Sequence, residues 1–379
     1  MKKLAALVIA FVLLLTGCAP NFSKEEEITQ GKDESKTTDI IPKYQISDQY
    51  YRTILPFEPS ASRGLTLNQL NTRYDVDEFE VGLMRVAQKH FDPEKYLFQE
   101  GQYLDKDTIL KWLRRESEDS EGLNPADTGK GSAEERNQQN PRYLAQILEH
   151  NYLIKDKNGT AKLAGVAIGL ALNSVHYYRS EQYGPLQDGK SDDKTLEQEG
   201  KRIANVVVGR LRQIEGLEEV PIVIALFKQQ SRTSIIPGNF FAYATVGKGS
   251  SKLRDWNELK EKYVLFPSDE AKDNHRDDLT SFQNFKDDVE KYFPNFNGVV
   301  GTAFYVDDEL HKLSINITIQ FYGKAETIGF TQYVTGLVMQ HFREDYITVE
   351  VTISSVGGQE ALIVRKAGEK EPFVHIYGV

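Results

Sequence analysis

In its second half the chain alternates apolar and polar residues in long, clean runs. Leu313, Ile315, Ile317, Ile319 and Phe321 interleave with Ser314, Asn316, Thr318 and Gln320. Ile347, Val349, Val351 and Ile353 interleave with Thr348, Glu350 and Thr352. A period of two puts all the apolar side chains on one face of a strand. These segments therefore predict mixed or antiparallel sheets with one buried and one wet face. Other segments carry the helical period instead. In QEGKRIANVVVGRLRQI the stripe is Ile203, Val206, Val207, Arg210, Leu211 and Ile214. In ETIGFTQYVTGLVMQHF it is Phe330, Tyr333, Val334, Leu337, Val338, His341 and Phe342. Each predicts a helix with one face on a sheet.

The order of these signals repeats. NYLIK and LAGVAIGLALNSVHYY flank DKNGTA, whose Asn158-Gly159 is a strong hairpin turn. A helix follows, then the strands VPIVIALFK and FFAYATV. Further on, GVVGTAFYV and KLSINITIQFY flank Asp307-Asp308. Again a helix follows, then YITVEVTIS and EALIVRK joined through Gly357-Gly358, with PFVHIYG as a last strand. The predicted fold class is α+β: two similar hairpin–helix–hairpin (ββαββ-like) units, 151–265 and 266–379, with mixed or antiparallel sheets. The first carries an insertion over 180–194. In its second strand Val166, Ile168, Leu170 and Leu172 line one face, and Gly165, Ala167, Gly169 and Ala171 the other. Small side chains admit a close neighbour, which places this strand between the two units.

The region 49–150 reads as mainly helical. In DVDEFEVGLMRVAQKHFDP, Phe79, Leu83, Val86 and His90 recur at helical spacing, with Asp75 and Glu78 as a capping box and Pro93 past the end. TILKWLRR predicts a second helix. A third starts at Asn140-Pro141, with Tyr143, Leu144, Ile147 and Leu148 as its apolar stripe. Residues 116–140 are charged and Gly-containing, as an exposed loop would be.

The N-terminus changes the picture most. Lys2 and Lys3 precede an apolar run, Leu4 to Leu15, of signal-peptide length and short for a membrane span. Leu15-Thr16-Gly17-Cys18 matches the bacterial lipobox. Small residues admit the processing peptidase, which cuts between Gly17 and Cys18, and the thiol accepts the diacylglyceryl group. Cys18 is the sole cysteine, so no internal disulfide framework or Cys-rich metal site exists. One acyl chain holds marginally, at about 0.8 kcal/mol per buried CH₂, whereas two hold stably. The expected layout is a signal peptide over 1–17, then a lipidated cysteine and flexible tether over 18–48. The expected location is the extracytoplasmic face of the membrane. The expected partners are that membrane and the lipoprotein-processing enzymes.

Composition adds limits. Of 379 residues, 40% are hydrophobic, enough for a sizeable core. The net charge of −10 argues against broad nucleic-acid binding, which needs clustered Lys and Arg.

No catalytic motif stands out, and the reading leans away from an enzyme. The seven histidines form no close metal-binding pair, and no P-loop, G-x-S-x-G elbow or dinucleotide fingerprint is present, so neither metal nor cofactor is called for. His341 beside Glu344 reads as a helix-end histidine favoured by the dipole rather than a ligand pair. VGKGSSK, 246–252, could cradle a phosphate but fits a plain solvated turn better. Two loops carry weak binding signals. NSVHYYRSEQYGP gathers His176, Tyr177, Tyr178 and Arg179, and aromatics with an arginine stack on sugars or peptides. QQSRTSIIPGNFF sets Arg232 on a connection longer than a tight turn needs.

Several segments together resemble one family: the lipobox signal, YYRTILPFEPSASRGL after the tether, FKQQSRTSIIPGNFFAYATVG, and the closing half with NFNGVVGTAFY. They are similar to the CamS family of sex-pheromone precursor lipoproteins of Gram-positive bacteria, over essentially the whole mature chain. The resemblance implies a surface lipoprotein whose body has no firmly assigned chemistry. It also implies a cleaved signal peptide that yields a short hydrophobic peptide, in some members a plasmid-transfer pheromone. Here that peptide would be Phe11-Val12-Leu13-Leu14-Leu15-Thr16-Gly17. It departs from the family's pattern, which ends in Ser or Ala and is richer in Ile and Ala. The folded body reads as a binding or structural module. The competing reading is an envelope glycan- or peptide-binding protein, or a cell-wall enzyme, using the interface between the units. The oligomeric state is not legible.

Overall fold

The computed structural model describes residues 26–30, 38–42, 46–47, 50–117, 119–157, 159–292, 298–320 and 323–378. The signal sequence, Cys18 and the candidate peptide Phe11 to Gly17 lie outside these residues, as do Asn158 and Phe321. Among the described residues are eight helices and two large sheets, an α+β architecture.

The helices are α1 (Arg63–Gln69), α2 (Arg73–Gln88), α3 (Lys106–Trp112), α4 (Ala133–Gln139), α5 (Asp193–Leu211), α6 (Asp269–Asn274), α7 (Arg276–Tyr292) and α8 (Lys324–His341). The first sheet has nine strands: β1 (Glu26–Gln30), β2 (Thr38–Ile41), β3 (Arg52–Thr53), β4 (Leu97–Glu100), β7 (Leu144–Lys155), β8 (Thr160–Asn173), β11 (Ile222–Gln229), β12 (Asn239–Val246) and β13 (Arg254–Glu258). The small hairpins β5 (Glu116–Ser117) with β6 (Ser120–Glu121), and β9 (Val175–Tyr178) with β10 (Gln187–Lys190), stand apart from it. The second sheet runs β14 (Glu261–Phe266), β15 (Val299–Val306), β16 (Glu309–Thr318), β17 (Thr348–Ser355), β18 (Gly358–Arg365) and β19 (Phe373–Ile376) in spatial order.

The two sheets share a connectivity. In the first, hairpin β7–β8 leads through α5 to hairpin β11–β12, and β8 and β11 lie parallel at the centre. In the second, β15–β16 leads through α8 to β17–β18, with β16 and β17 parallel. Parallel neighbours need a long crossover, and the helix supplies it in each case. The turn at Asp307-Asp308 has φ of 51° and 64°, the doubly left-handed form that suits a two-residue hairpin.

The second sheet packs α7 and α8 on one face only. Leu313, Ile315 and Ile317 point into that core beside Phe282, Phe285, Phe330 and Val334, while Ser314, Asn316 and Val300 point away. The alternation legible in the sequence is this one-sided burial. The sheet begins at Glu261, earlier than the boundary expected at 266.

The first sheet is covered on both faces. On one, Val166, Ile168, Leu170 and Leu172 meet Ile203, Val207 and Leu211 of α5. On the other, α2 packs Phe79, Leu83 and Val86 against Ala167, Ala171, Phe227 and Phe240. The small-residue face of β8 is therefore covered by a helix of the N-terminal region, not by the second unit. A Cβ on Gly169 would fall 2.8 Å from the Phe79 ring, and one on Gly165 only 2.3 Å from Phe91. Glycine is what lets these two aromatics seat.

The N-terminal region differs from its expected, mainly helical form. The helix expected from Asn140-Pro141 is strand β7, and α4 ends just before it. A strand buried on both faces shows no polar–apolar alternation, and a register shift between Leu144 and Gln146 breaks the period further. The cap of α2 is Thr72, whose hydroxyl accepts from the Asp75 amide, not Asp75 itself. The helix ends at Gln88, before His90. Part of the expected tether is paired: β1 lies antiparallel to β2 and parallel to β8 through Thr29 and Gln30.

Only Leu259 and Lys260 separate the sheets, and one ionic cluster ties them. Arg85 of α2 donates to Glu78 at 2.5 Å and to Glu261 at 2.7 Å, while the Tyr263 hydroxyl donates to Glu78 at 2.6 Å. The Arg85 guanidinium also lies 4.8 Å from the Phe304 ring centroid. This contact is filled by side chains.

Candidate functional site

The loop joining β11 and β12 is held at both ends by one carboxylate. Asp75, in the first turn of α2 and fully buried, accepts from the amides of Gln230 at 3.1 Å and Gly238 at 2.8 Å, and from the Thr72 hydroxyl at 2.8 Å. Burial pushes its acidity towards weaker values, and those donors pull it back. Gly238 is required by space: a Cβ there would lie 2.0 Å from the Lys228 carbonyl oxygen. Gln229 completes the brace. It accepts from the Asn71 amide at 2.9 Å and donates to Asn173 at 2.5 Å. We expect Asp75→Ala to cost about 2–3 kcal/mol, because it strands two amides that had bonded a charged acceptor. Hydrogen exchange should accelerate at Gln230 and Gly238. Unchanged protection there would refute the bracing role.

This loop forms one wall of a cavity of about 420 Å³ at the end of the first sheet. Arg232 enters from the loop. Its amide donates to the Tyr177 hydroxyl at 3.1 Å, and its guanidinium stacks 4.6 Å from the Tyr177 ring centroid. Its Nε also reaches Asn71 at 3.4 Å. Arg114, just past α3, and Arg142, just before β7, line the same cavity with Asn173 and His176. Behind them Arg115 is satisfied by the carbonyls of Pro125 and Asn140 and by Asn137.

His176 is 5% exposed, bonds Asn137 through Nε2 at 3.0 Å and stacks on Tyr178. Burial, reinforced by Arg115 and Arg142, holds its pKa down at about 4, so it is neutral at physiological pH. The site's positive charge is thus carried by the arginines. Among the described residues no Asp or Glu lines the cavity.

Of the residues expected from sequence, His176, Tyr177 and Arg232 converge here. Tyr178 is buried beneath His176. Arg179 turns away and donates to the Gly184 carbonyl in the exposed hairpin tip. The sequence reading missed Arg114, Arg142, Asn71 and Asp75. Their local signals, Arg114-Arg115 after a helix and Arg142 after a proline, are ordinary until the sheet brings them together.

Other residues singled out in the sequence lie away from this cavity, and His341 is the helix-end histidine expected of it. His341 bonds Asp288 of α7 at 2.8 Å, joining the two helices. In the 246–252 turn, the carbonyls of Gly247 and Ser250 accept from Arg212 at 2.9 and 2.7 Å. That turn offers Arg212 its acceptors rather than cradling a phosphate. Among the described residues, no three His, Cys, Asp or Glu side chains converge as a metal site requires.

A second cavity, of about 220 Å³, lies on the α2 side of the sheet, where His150, Glu80 and Glu100 share a wall with Phe98 and Met84. Both cavities are built from residues that precede Glu261.

Comparison with known proteins places these features in context. A family model described as CamS sex pheromone cAM373 precursor matches residues 57–371. A sex pheromone precursor from Lactobacillus salivarius subsp. salivarius UCC118 has a crystal structure similar to this one, with a TM-score of 0.81 and 34% identity. The match covers 90% of this chain and 99% of that one. The C-terminal domain of the sex pheromone staph-cAM373 precursor from Staphylococcus aureus aligns with a TM-score of 0.71 and 36% identity, covering 82% of this chain and 99% of that one. No match was found among curated protein sequences.

Proposed function

This chain belongs to the CamS family of sex pheromone cAM373 precursors, and we propose that it is a lipoprotein anchored on the outer face of the membrane through diacylglyceryl-Cys18. Its cleaved signal peptide releases Phe11-Val12-Leu13-Leu14-Leu15-Thr16-Gly17, and its folded body binds a ligand. The observation that carries the anchor is Leu15-Thr16-Gly17-Cys18, set directly after a charged start and an apolar run. Two acyl chains on one thiol suffice for stable attachment. Among the described residues no helix is long and apolar enough to cross a membrane.

For the body, the arginine-lined cavity favours binding over chemistry. It brings together cations, carboxamides and an aromatic face, without a nucleophile paired to a base. The alternative of a site between the units has less support, since Arg85, Glu78 and Glu261 fill that contact.

Cys18→Ala should abolish incorporation of radiolabelled palmitate and shift the protein from the membrane fraction to the medium or the unprocessed precursor pool. Retained label would refute the anchor. Peptide release is checked separately, by mass spectrometry of culture medium for FVLLLTG.

A further inference from the structure

We propose that the cavity between β7, α3 and the β11–β12 loop binds a phosphate-bearing ligand with at least two phosphate groups, held by Arg114, Arg142 and Arg232. This inference rests on the reading of the folded body as a binding module and names the ligand class of that site.

The first argument is uncompensated charge. In a chain of net charge −10, three guanidinium groups from separate segments face one cavity whose lining holds no carboxylate. Neither Arg114 nor Arg142 makes a side-chain ion pair or hydrogen bond among the described residues. Elsewhere on this surface arginines take acidic partners, as Arg63 does with Glu100 and Arg136 with Asp127. Bringing like charges together without counter-charge disfavours the free protein, and an anion relieves it.

The second argument is positioning. Arg232 is not a loose surface side chain. Its backbone is tied to Tyr177, its guanidinium is stacked on that ring, and its loop is braced by buried Asp75. Part of the ordering cost of binding is therefore met before a ligand arrives. Asn71 and Asn173 add neutral polar groups beside the cations.

The third argument selects phosphate. Each phosphate presents several acceptor oxygens around one centre, which suits guanidinium groups approaching from different directions. Three arginines distributed around about 420 Å³ match two such groups better than one. The phosphates could be those of a polyol-phosphate chain or of a small soluble polyphosphate, and the test separates these sources.

The test is titration calorimetry on the full-length chain in detergent micelles, at low and at physiological ionic strength. The probes are a synthetic hexamer of glycerol phosphate, inorganic tripolyphosphate, inorganic phosphate and citrate. The hexamer or tripolyphosphate should bind, and binding should weaken with salt. The tighter of the two identifies the source. Arg142→Gln and Arg232→Gln should each weaken binding roughly tenfold or more, the loss expected for a charged hydrogen bond. Arg142→Lys should recover part of the loss. Arg276→Gln, which removes an exposed arginine on α7 over the second sheet, should leave binding unchanged. All three positions are exposed, so circular dichroism should report intact folds.

Absence of binding by both phosphate probes at low salt would overturn the proposal. So would equal loss in Arg276→Gln, or citrate binding as tightly as the phosphate probes. The Cys18→Ala chain should bind like the wild type, so failure of the anchor reading and failure of this proposal give different results.

Discussion

Lowering the pH from 6.5 to about 3 should cost the folded protein roughly 4–5 kcal/mol through His150 alone, at about 1.4 kcal/mol per pH unit. His150 sits on β7, facing the α1–α2 side of the first sheet, and is 2% exposed. Its ring meets Phe98 edge-on at 5.0 Å, and its Nδ1 has no hydrogen-bond partner among the described residues. Burial holds its pKa at about 3 in the native state, against the ordinary 6.5 when unfolded. Between those values the unfolded chain binds a proton that the native chain does not. The stability contributed by neutral His150 is therefore fully present above 6.5 and is lost as the pH falls towards 3. His176 acts in the same direction over a narrower window. The buried carboxylates Asp75, Glu78 and Glu149 act oppositely. Burial raises their pKa values, so the native state binds protons more readily there and gains stability as the pH falls. A variant comparison cancels these background terms. Urea midpoints of wild type and His150→Phe at pH 7 and pH 4 should show the wild type losing clearly more stability on acidification. Equal losses would remove His150 as the acid-sensitive group.

Phe79→Ala should destabilise the protein by about 3–5 kcal/mol, the range for emptying a large aromatic site in a core. Phe79 is fully buried, lies 5.1 Å from Phe227 and 5.8 Å from Phe240, ring to ring, and presses on the backbone of β8. With Leu83 and Val86 it seats α2 on the centre of the sheet. The denaturant midpoint should fall with little change in slope. Gly169→Ala supplies an internal check. Alone it places a methyl 2.8 Å from the Phe79 ring, an overpacking that costs about 1–3 kcal/mol. In the Phe79→Ala background that methyl enters the vacated space. The double mutant should therefore be more stable than the sum of the single changes allows. Simple additivity would mean that α2 does not seat where the packing places it.

The contrast between the sheets explains what the sequence could reveal. The second sheet has helices on one face, so burial follows the strand period and Leu313 to Ile319 spell it out. The Asp307-Asp308 turn is legible for a local reason too, since short polar residues tolerate left-handed backbone. β7 is different. Packed on both faces and shifted in register, its apolar residues imitate a helical stripe, and Asn140-Pro141 completes the imitation. The small residues of β8 announced a close neighbour, but nothing in them says which segment provides it. The site divides in the same way. His176 and Tyr177 were visible because aromatic and cationic residues cluster locally, and Arg232 because its connection is longer than a tight turn needs. Arg114, Arg142 and Asn71 belong to the site through strand pairing and the Gln229 brace, which no local spacing encodes.

On the proposed anchor at Cys18, the pairing of β1 with β8 sets how far the body can stand from the bilayer. A free leash from Cys18 to residue 48 would span about 100 Å when extended, at roughly 3.4 Å per residue. Once Glu26–Gln30 is paired with the start of β8, only the segment from Cys18 to Glu26 lies between, and its reach is about 27 Å. On the proposed acylation of Cys18, that end of the first sheet stays close to the headgroups. The arginine cavity lies at the other end of β8, beside Asn173, about 40 Å from that pairing at roughly 3.3 Å per residue, so it faces away from the bilayer end of the sheet.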